Sequence, residues 1–304
     1  MRVIPILSRI YQLGRELHPE PTLRNFKRRA VLFAKAIPML SDIAAWYQIA
    51  DSPLLTRALK RFPLMRGAFY WPYIHRGWGA QRRMECIDQH YRMLTGSAQI
   101  LAVTIEESVE LAAFEEEHPG LRLVLDKTGW FLREGEVVLN LFLIAERIYS
   151  IVFTLGHVEG RRVLFVGAIQ GSNAEGALDK YREVTRRLHG LRPRDLLMIA
   201  LKFLSRDLAT HSIYAISGAE RQHNSTYFGD SHKDKIMSDY DQVWSEHGGL
   251  PRNDGFFEIP IEVKLKSAEE IPPRKRAVYR RRYAMLERVR REISSSCKKY
   301  EKPA

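Results

Sequence analysis

The chain has 304 residues, 45% of them hydrophobic and 28% charged, and carries a net charge of +12. Such a chain can bury a core without staples, and its balance excludes a low-complexity or natively disordered protein. Cys86 and Cys297 are the only cysteines and sit in no ligand spacing, so neither a disulfide framework nor a metal site is expected.

Residues 1–96 read as a helical region. Leu23, Phe26, Ala30, Phe33 and Ile37 recur at 3-4-3-4 spacing as one apolar stripe, opposite Arg24, Lys27, Arg28 and Lys35. Ser52-Pro53 reads as a helix start with the proline just inside it. Met84, Ile87, Tyr91 and Leu94 make a second stripe. The aromatic link between them, with Tyr70, Trp71, Tyr73 and Trp78, is expected to pack the helices onto the next layer or to line a groove.

Residues 97–265 read as a mixed α/β core. QILAVT is expected to be a strand, and Thr104 with Glu107 to cap a helix running to Glu117. LRLVLD, EVVLNLFLIA, RIYSIVFTL and RRVLFVGAI follow, separated by turn signals, which predicts an antiparallel meander covered on both faces. Ala177, Tyr181, Val184 and Leu188 then form a helical stripe closed at His189-Gly190. A second helix starts at Pro193 with Leu197, Leu201, Leu204 and Leu208 on one face, and HSIYAIS is the next strand. The class is therefore α+β: a helical N-terminal region, then a largely antiparallel sheet with packed helices.

Residues 266–304 form a basic tail. From Ser267 onward twelve Lys and Arg face five Glu, so the stretch 267–304 carries +7 of the net charge. A helix such as PRKRAVYRRRYAMLERVRRE suits an anionic partner, either a lipid surface or a nucleic acid, or is simply solvated. No apolar run of membrane-spanning length and no signal peptide are read, so the expected location is the cytoplasm, with attachment to the periphery of the inner membrane left open.

The stretch FVGAIQGSNAEG ends the meander on a loop of small polar residues. Gly171 and Gly176 have Walker A spacing, but Ala177-Leu178 stand where Lys and Ser/Thr are required, so an ATPase is excluded. GAIQGS is not GxGxxG and no βαβ unit is read around it, which excludes a Rossmann site. Two readings remain for Gln170, Gly171, Ser172 and Asn173. One is a tight turn that packs the following helix against the sheet. The other is a cofactor loop whose backbone N–H groups meet a phosphate, because meander, loop, helix and strand follow in the order of acyl-CoA-dependent N-acyltransferases. On that second reading acyl-CoA is the cofactor, although none is established.

FVGAIQGS, HGLRPRDLLMIAL, SDYDQVWSEHGG and DGFFEIP, with IDQHYRML upstream, together resemble the VirK/YbjX family of bacterial proteins, a domain of unknown function. The resemblance runs from about Trp71 to Pro260. It implies a factor acting in virulence, antimicrobial-peptide resistance or stress responses including DNA damage. It brings no reaction and no catalytic residue. From the residues themselves, His223 in a polar loop, Tyr240 as an acid, and Asp241 and Glu246 as carboxylates could furnish acid–base catalysis; the alternative is that they are structural, with the carboxylates paired to arginines. His211, His223, His232 and His247 show no ligand spacing. Three functions thus stand open: a partner-dependent stress factor, an acyl-CoA-dependent N-acyltransferase-like enzyme, and a basic nucleic-acid or membrane-surface binder.

Overall fold

The β-rich runs of the midsection pair in the order in which they occur. In a computed structural model, which describes residues 3–47, 52–228 and 239–301, the strands are β1 (Ser108–Ala113), β2 (Leu121–Asp126), β3 (Val137–Leu143), β4 (Glu146–Val158), β5 (Arg161–Gly171), β6 (Ser212–Ile216), β7 (Leu250–Pro251) and β8 (Phe256–Pro260). They form one eight-stranded sheet in the order β1-β2-β3-β4-β5-β6-β8-β7. Every neighbouring pair is antiparallel except β5 and β6. His232 of the histidine cluster lies outside the described residues.

Successive residues of β4 from Ser150 to Gly156 are all buried. Neighbouring side chains on a strand point to opposite faces, so both faces are covered there. Helices α5 (Ala80–Arg92) and α7 (Pro193–Asp207) both pack on β4. The stripe Met84, Ile87, Tyr91 and Leu94 is buried, as are Leu197, Leu201, Leu204 and Leu208, and so are Tyr70, Trp71 and Tyr73 of the aromatic link. Helix α4 (Pro53–Arg61) starts where its proline indicates, with Ser52 Oγ accepting from Leu55 N–H. Helices α1 (Val3–Leu17), α2 (Leu23–Ala36) and α3 (Leu40–Tyr47) complete the N-terminal layer.

Three local expectations are corrected. Residues 96–101 form a 3-10 turn and not a strand. Thr104 and Glu107 do bond to each other, Glu107 Oε2 accepting from Thr104 N–H at 2.9 Å, but they cap a turn. The residues beyond pair with β2 as strand β1, and the gain from joining the sheet overrides the local helix signal. The stripe of α2 is divided: Leu23, Phe26, Ala30 and Ile37 are exposed, whereas Phe33 is half-buried against the core. Finally, helices α6 (Ala177–Arg187) and α7 connect two parallel strands, so a β-α-β crossover does surround the small-residue loop.

The basic segment is helix α9 (Arg276–Lys299). Its apolar face, Met285, Leu286, Val289, Ile293 and Cys297, belongs to the same core cluster as the sheet. Arg282 donates to the His189 carbonyl at 3.0 and 2.6 Å, and Arg288 donates to the Ala113 carbonyl at 2.7 Å.

Candidate active site

At β5 the sheet turns from antiparallel to parallel, and the new pairing is short. Residues 163–166 pair with 212–215 of β6, whereas 168–171 keep β4 on one side and have no ladder on the other among the described residues. Backbone groups freed in this way must find partners. Helix α8 (Tyr240–Glu246) supplies them: Ile169 N–H donates to Tyr240 Oη at 3.0 Å, and Trp244 Nε1–H donates to the Ile216 carbonyl at 2.8 Å. Tyr240 and Trp244 share a helix face at i, i+4 and are both buried. Together they pack where β6 ends and β5 runs on.

A bulge lies beside this contact. The β4–β5 register skips Gly167, and a Cβ there would stand 2.0 Å from the Glu134 carbonyl oxygen. Glycine therefore lets the turn before β3 run against β5 and brings the Glu134 carboxyl into the interior, where it is 4% exposed. Burial pushes that carboxyl up to about 7, against the pull of Arg221. His223 Nδ1 lies 3.5 Å from Glu134 Oε1, and the Arg221 guanidinium sits 4.0 Å from the Tyr240 ring centre. Burial also raises the Tyr240 hydroxyl well above its ordinary value, so it holds its proton at neutral pH. Arg221 Nε and Gln222 Oε1 are buried without a hydrogen-bond partner among the described residues. Unmet polar capacity of this kind is uncommon in a folded chain and is available to a ligand or water.

Gln170, Gly171, Ser172 and Asn173 line a cavity of about 460 Å³ together with Trp130, Phe142, Arg147 and Ser150. Gly171 answers to packing: a Cβ there would meet the Tyr181 hydroxyl at 2.2 Å, and that hydroxyl donates to the Ser172 carbonyl. Ser172 N–H is engaged by the Ile148 carbonyl and Ala174 N–H by Ser172 Oγ, so these two groups do not face a ligand. Across the strands Asn140 opposes Ser150, which opposes Gln170. Asn140 Oδ1 accepts from Ser150 Oγ at 2.7 Å, leaving a polar rung under the cavity.

Of the four residues proposed from sequence for acid–base work, the structure gathers Tyr240 and His223 around Glu134. Asp241 is turned to the loop after β6, where its Oδ1 accepts from Gly218 N–H at 2.7 Å. Glu246 is paired with Arg192 at 2.7 Å and with Arg194, beside a separate cavity of about 410 Å³ lined by Asp195, Lys202 and His247. There burial lowers Lys202 to about 8, its ammonium donating to the carbonyls of His247 and Glu262. Burial would raise Asp195, but hydrogen bonds from His247 and Arg192 hold it down at about 2.

Sequence reading missed Glu134 and its neighbour Glu136. The available signal was a pair of glutamates flanking Gly135 immediately before the apolar run of β3. Glu136 is fully buried and accepts from Lys127 Nζ at 2.6 Å, Tyr91 Oη at 2.8 Å and Tyr73 Oη at 3.1 Å. Burial opposes its charge, yet Lys127 keeps the carboxyl below its ordinary value. His90 beside them is pushed down to about 3 by burial and is neutral, its Nδ1 accepting from Leu155 N–H.

Fold and site define an α+β protein in which helix α8 packs at the end of the parallel strand pair, beside a buried cluster of ionisable side chains. The chain belongs to the DUF535 family, described as a protein of unknown function, whose model matches residues 21–295. The VirK/YbjX resemblance therefore holds, and it extends beyond the motifs into both the N-terminal helices and α9. The uncharacterized protein YbjX of Escherichia coli K12 is 28% identical over 280 residues, covering 90% of this chain and 83% of the relative. An uncharacterized protein of Haemophilus influenzae Rd is 26% identical over 282 residues, covering 91% and 87%. A second from the same organism is 28% identical over 148 residues, about half of each chain. No solved structure matches.

Proposed function

We propose that this chain is an acyltransferase that takes its acyl group from a CoA thioester bound beside β5 where β6 ends. The observation that carries the reading is that β5 runs on over 167–171 with no second strand beside it among the described residues, Tyr240 and Trp244 standing there instead. An extended pantetheine arm, with two amides, suits a gap in a strand ladder because main-chain groups can bond it as they would another strand. The 170–177 loop carries no Lys or Arg, so a pyrophosphate there would rest on backbone N–H groups before α6.

A CoA thioester supplies an activated acyl carbon. Ile169 N–H, once released by Tyr240, is a donor for a carbonyl oxygen in a water-poor site, where such a bond is worth most. As the C–N bond forms and the C–S bond breaks, the Tyr240 hydroxyl can pass its proton to the departing CoA thiolate, which leaves as the free thiol. Glu134, with its carboxyl at about 7, can receive a proton from an attacking amine near neutral pH. His223 and Arg221 orient and balance that carboxylate. A role in virulence, antimicrobial-peptide resistance or stress, implied by the family resemblance, would be the cellular setting of this chemistry.

Thermal melting with acetyl-CoA, longer acyl-CoAs and AMP tests the reading. A ligand that binds only the folded state at about 100 times its Kd adds roughly 2.7 kcal/mol of stability. An upward shift with at least one acyl-CoA, none with AMP, and a smaller shift in Tyr240→Ala is expected. Flat melts across the acyl-CoA series would refute it.

A further inference from the structure

A helix packed on a globular core ordinarily turns its apolar stripe inward. Helix α2 carries apolar residues on both sides. Leu32 and Ala36 are buried, Phe33 is half-buried against the core, and the helix packs on α1. On the outer side Leu23 is 73% exposed, Phe26 67% and Ile37, just past the helix, 57%, with Ala30 and Ala34 exposed between them. At about 100° per residue, positions 23, 26, 30, 34 and 37 fall on one side and position 32 opposite, so these residues form a continuous strip. Val31 is exposed on its flank. Contiguous exposed apolar surface of this kind marks an interaction site.

Charge identifies the partner. Between Glu20 and Asp42 there is no acidic residue, and Arg24, Lys27, Arg28, Arg29 and Lys35 all fall in that interval. Arg29 is turned inward to the His18 carbonyl, whereas Arg24, Lys27 and Lys35 are exposed beside the strip. We infer that α2 docks the protein on an anionic lipid bilayer, lying in the interface with Leu23, Phe26 and Ile37 among the acyl chains and Arg24 and Lys27 at the headgroups. An apolar face flanked by basic residues is the pattern of interfacial helices, and each basic residue near such a surface adds to the attraction.

Two other occupants fit worse. A second copy would set two all-basic helices against each other with no acidic residue on either to offset them. A span across the bilayer is permitted for 23–47 by length and composition alone. Yet Leu32, Ala36, Ile43, Ala44 and Trp46 are packed into the protein core, and the basic residues cluster in the first turns. Helix α9, where sequence reading placed an anionic partner, has its apolar face buried and offers nothing to insert.

Flotation of the full chain with vesicles of phosphatidylcholine, alone or mixed with phosphatidylglycerol, tests the inference. Binding to the mixed vesicles, weakening as salt rises, is expected. Phe26→Glu and Ile37→Glu should each lower partitioning about tenfold or more, since each removes a large apolar side chain from the bilayer. Arg24→Glu and Lys27→Glu should each lower it at least roughly fivefold. All four positions are exposed, so melting temperatures should not change, while Arg280→Glu with Arg281→Glu on α9 should leave binding intact. Absence of flotation with the anionic vesicles at low salt, or flotation undiminished by Phe26→Glu, would overturn the inference. So would a concentration-dependent dimer abolished by Phe26→Glu, which would place a second copy on this face.

Discussion

Glu134 and Glu136 stand two residues apart and are both buried, yet their surroundings separate their behaviour. Glu136 has an ammonium and two hydroxyls on its oxygens and stays ionised; Glu134 has Arg221 nearby and a hydrogen bond from Gln222, too little to offset burial, and its carboxyl rises to about 7. The sign of the resulting pH dependence is fixed. A carboxyl raised in the folded state stabilises the fold below the unfolded value, and that contribution is lost as pH climbs through about 7. Urea unfolding of wild type against Glu134→Gln should therefore show the wild type losing roughly 3 kcal/mol relative to the variant between acid and mildly alkaline pH. A pH-independent difference would mean that Glu134 titrates as it does in the unfolded chain. For Glu136 the expectation concerns its partner. Lys127→Met strands a buried carboxylate and should cost about 3–5 kcal/mol in the same measurement, with much of the loss recovered in Lys127→Met/Glu136→Gln. Had either residue been solvent-screened, the single variant would cost well under 1 kcal/mol.

At the scale of elements, the bulge in β5 and the packing of α8 are two parts of one device. The bulge turns the strand and admits the Glu134 backbone; the helix satisfies groups that parallel pairing leaves over. Gly167→Ala should destabilise by roughly 3 kcal/mol, the upper range for overpacking, because a backbone carbonyl blocks the added methyl and cannot swing away as a side chain could. A neutral effect in denaturant titration would show that the turn before β3 yields easily. The strands and helices themselves were legible, because alternation and 3.6-residue spacing are local properties. Tyr240 and Trp244 could be placed on one helix face from their spacing alone. The edge they stand beside could not, since it depends on which strands become neighbours. Thr104 and Glu107 mislead for the same reason: their mutual bonds form, but pairing with β2 makes a strand of residues 108–113 where the cap signals a helix.

Over the whole molecule, three layers meet at one sheet. The N-terminal helices, the crossover helices and α9 share a single core cluster, so the basic segment that sequence marks as a tail is structurally part of the body. Periodicity located the apolar stripe of α2 but not how it divides between core and surface, which only the packing of the helix on α1 reveals. Likewise His223 and Tyr240 were singled out for their chemistry, whereas Glu134, far away in sequence, joins them only through the close approach at Gly167. Amide hydrogen exchange across 161–171 measures most directly whether the edge of β5 left without a second strand takes a ligand. With acetyl-CoA bound, residues 167–171 should exchange more slowly, while the already paired 163–166 remain unchanged. Equal exchange of the 167–171 amides with and without acyl-CoA, at concentrations that shift the melt, would place the ligand elsewhere and contradict the account.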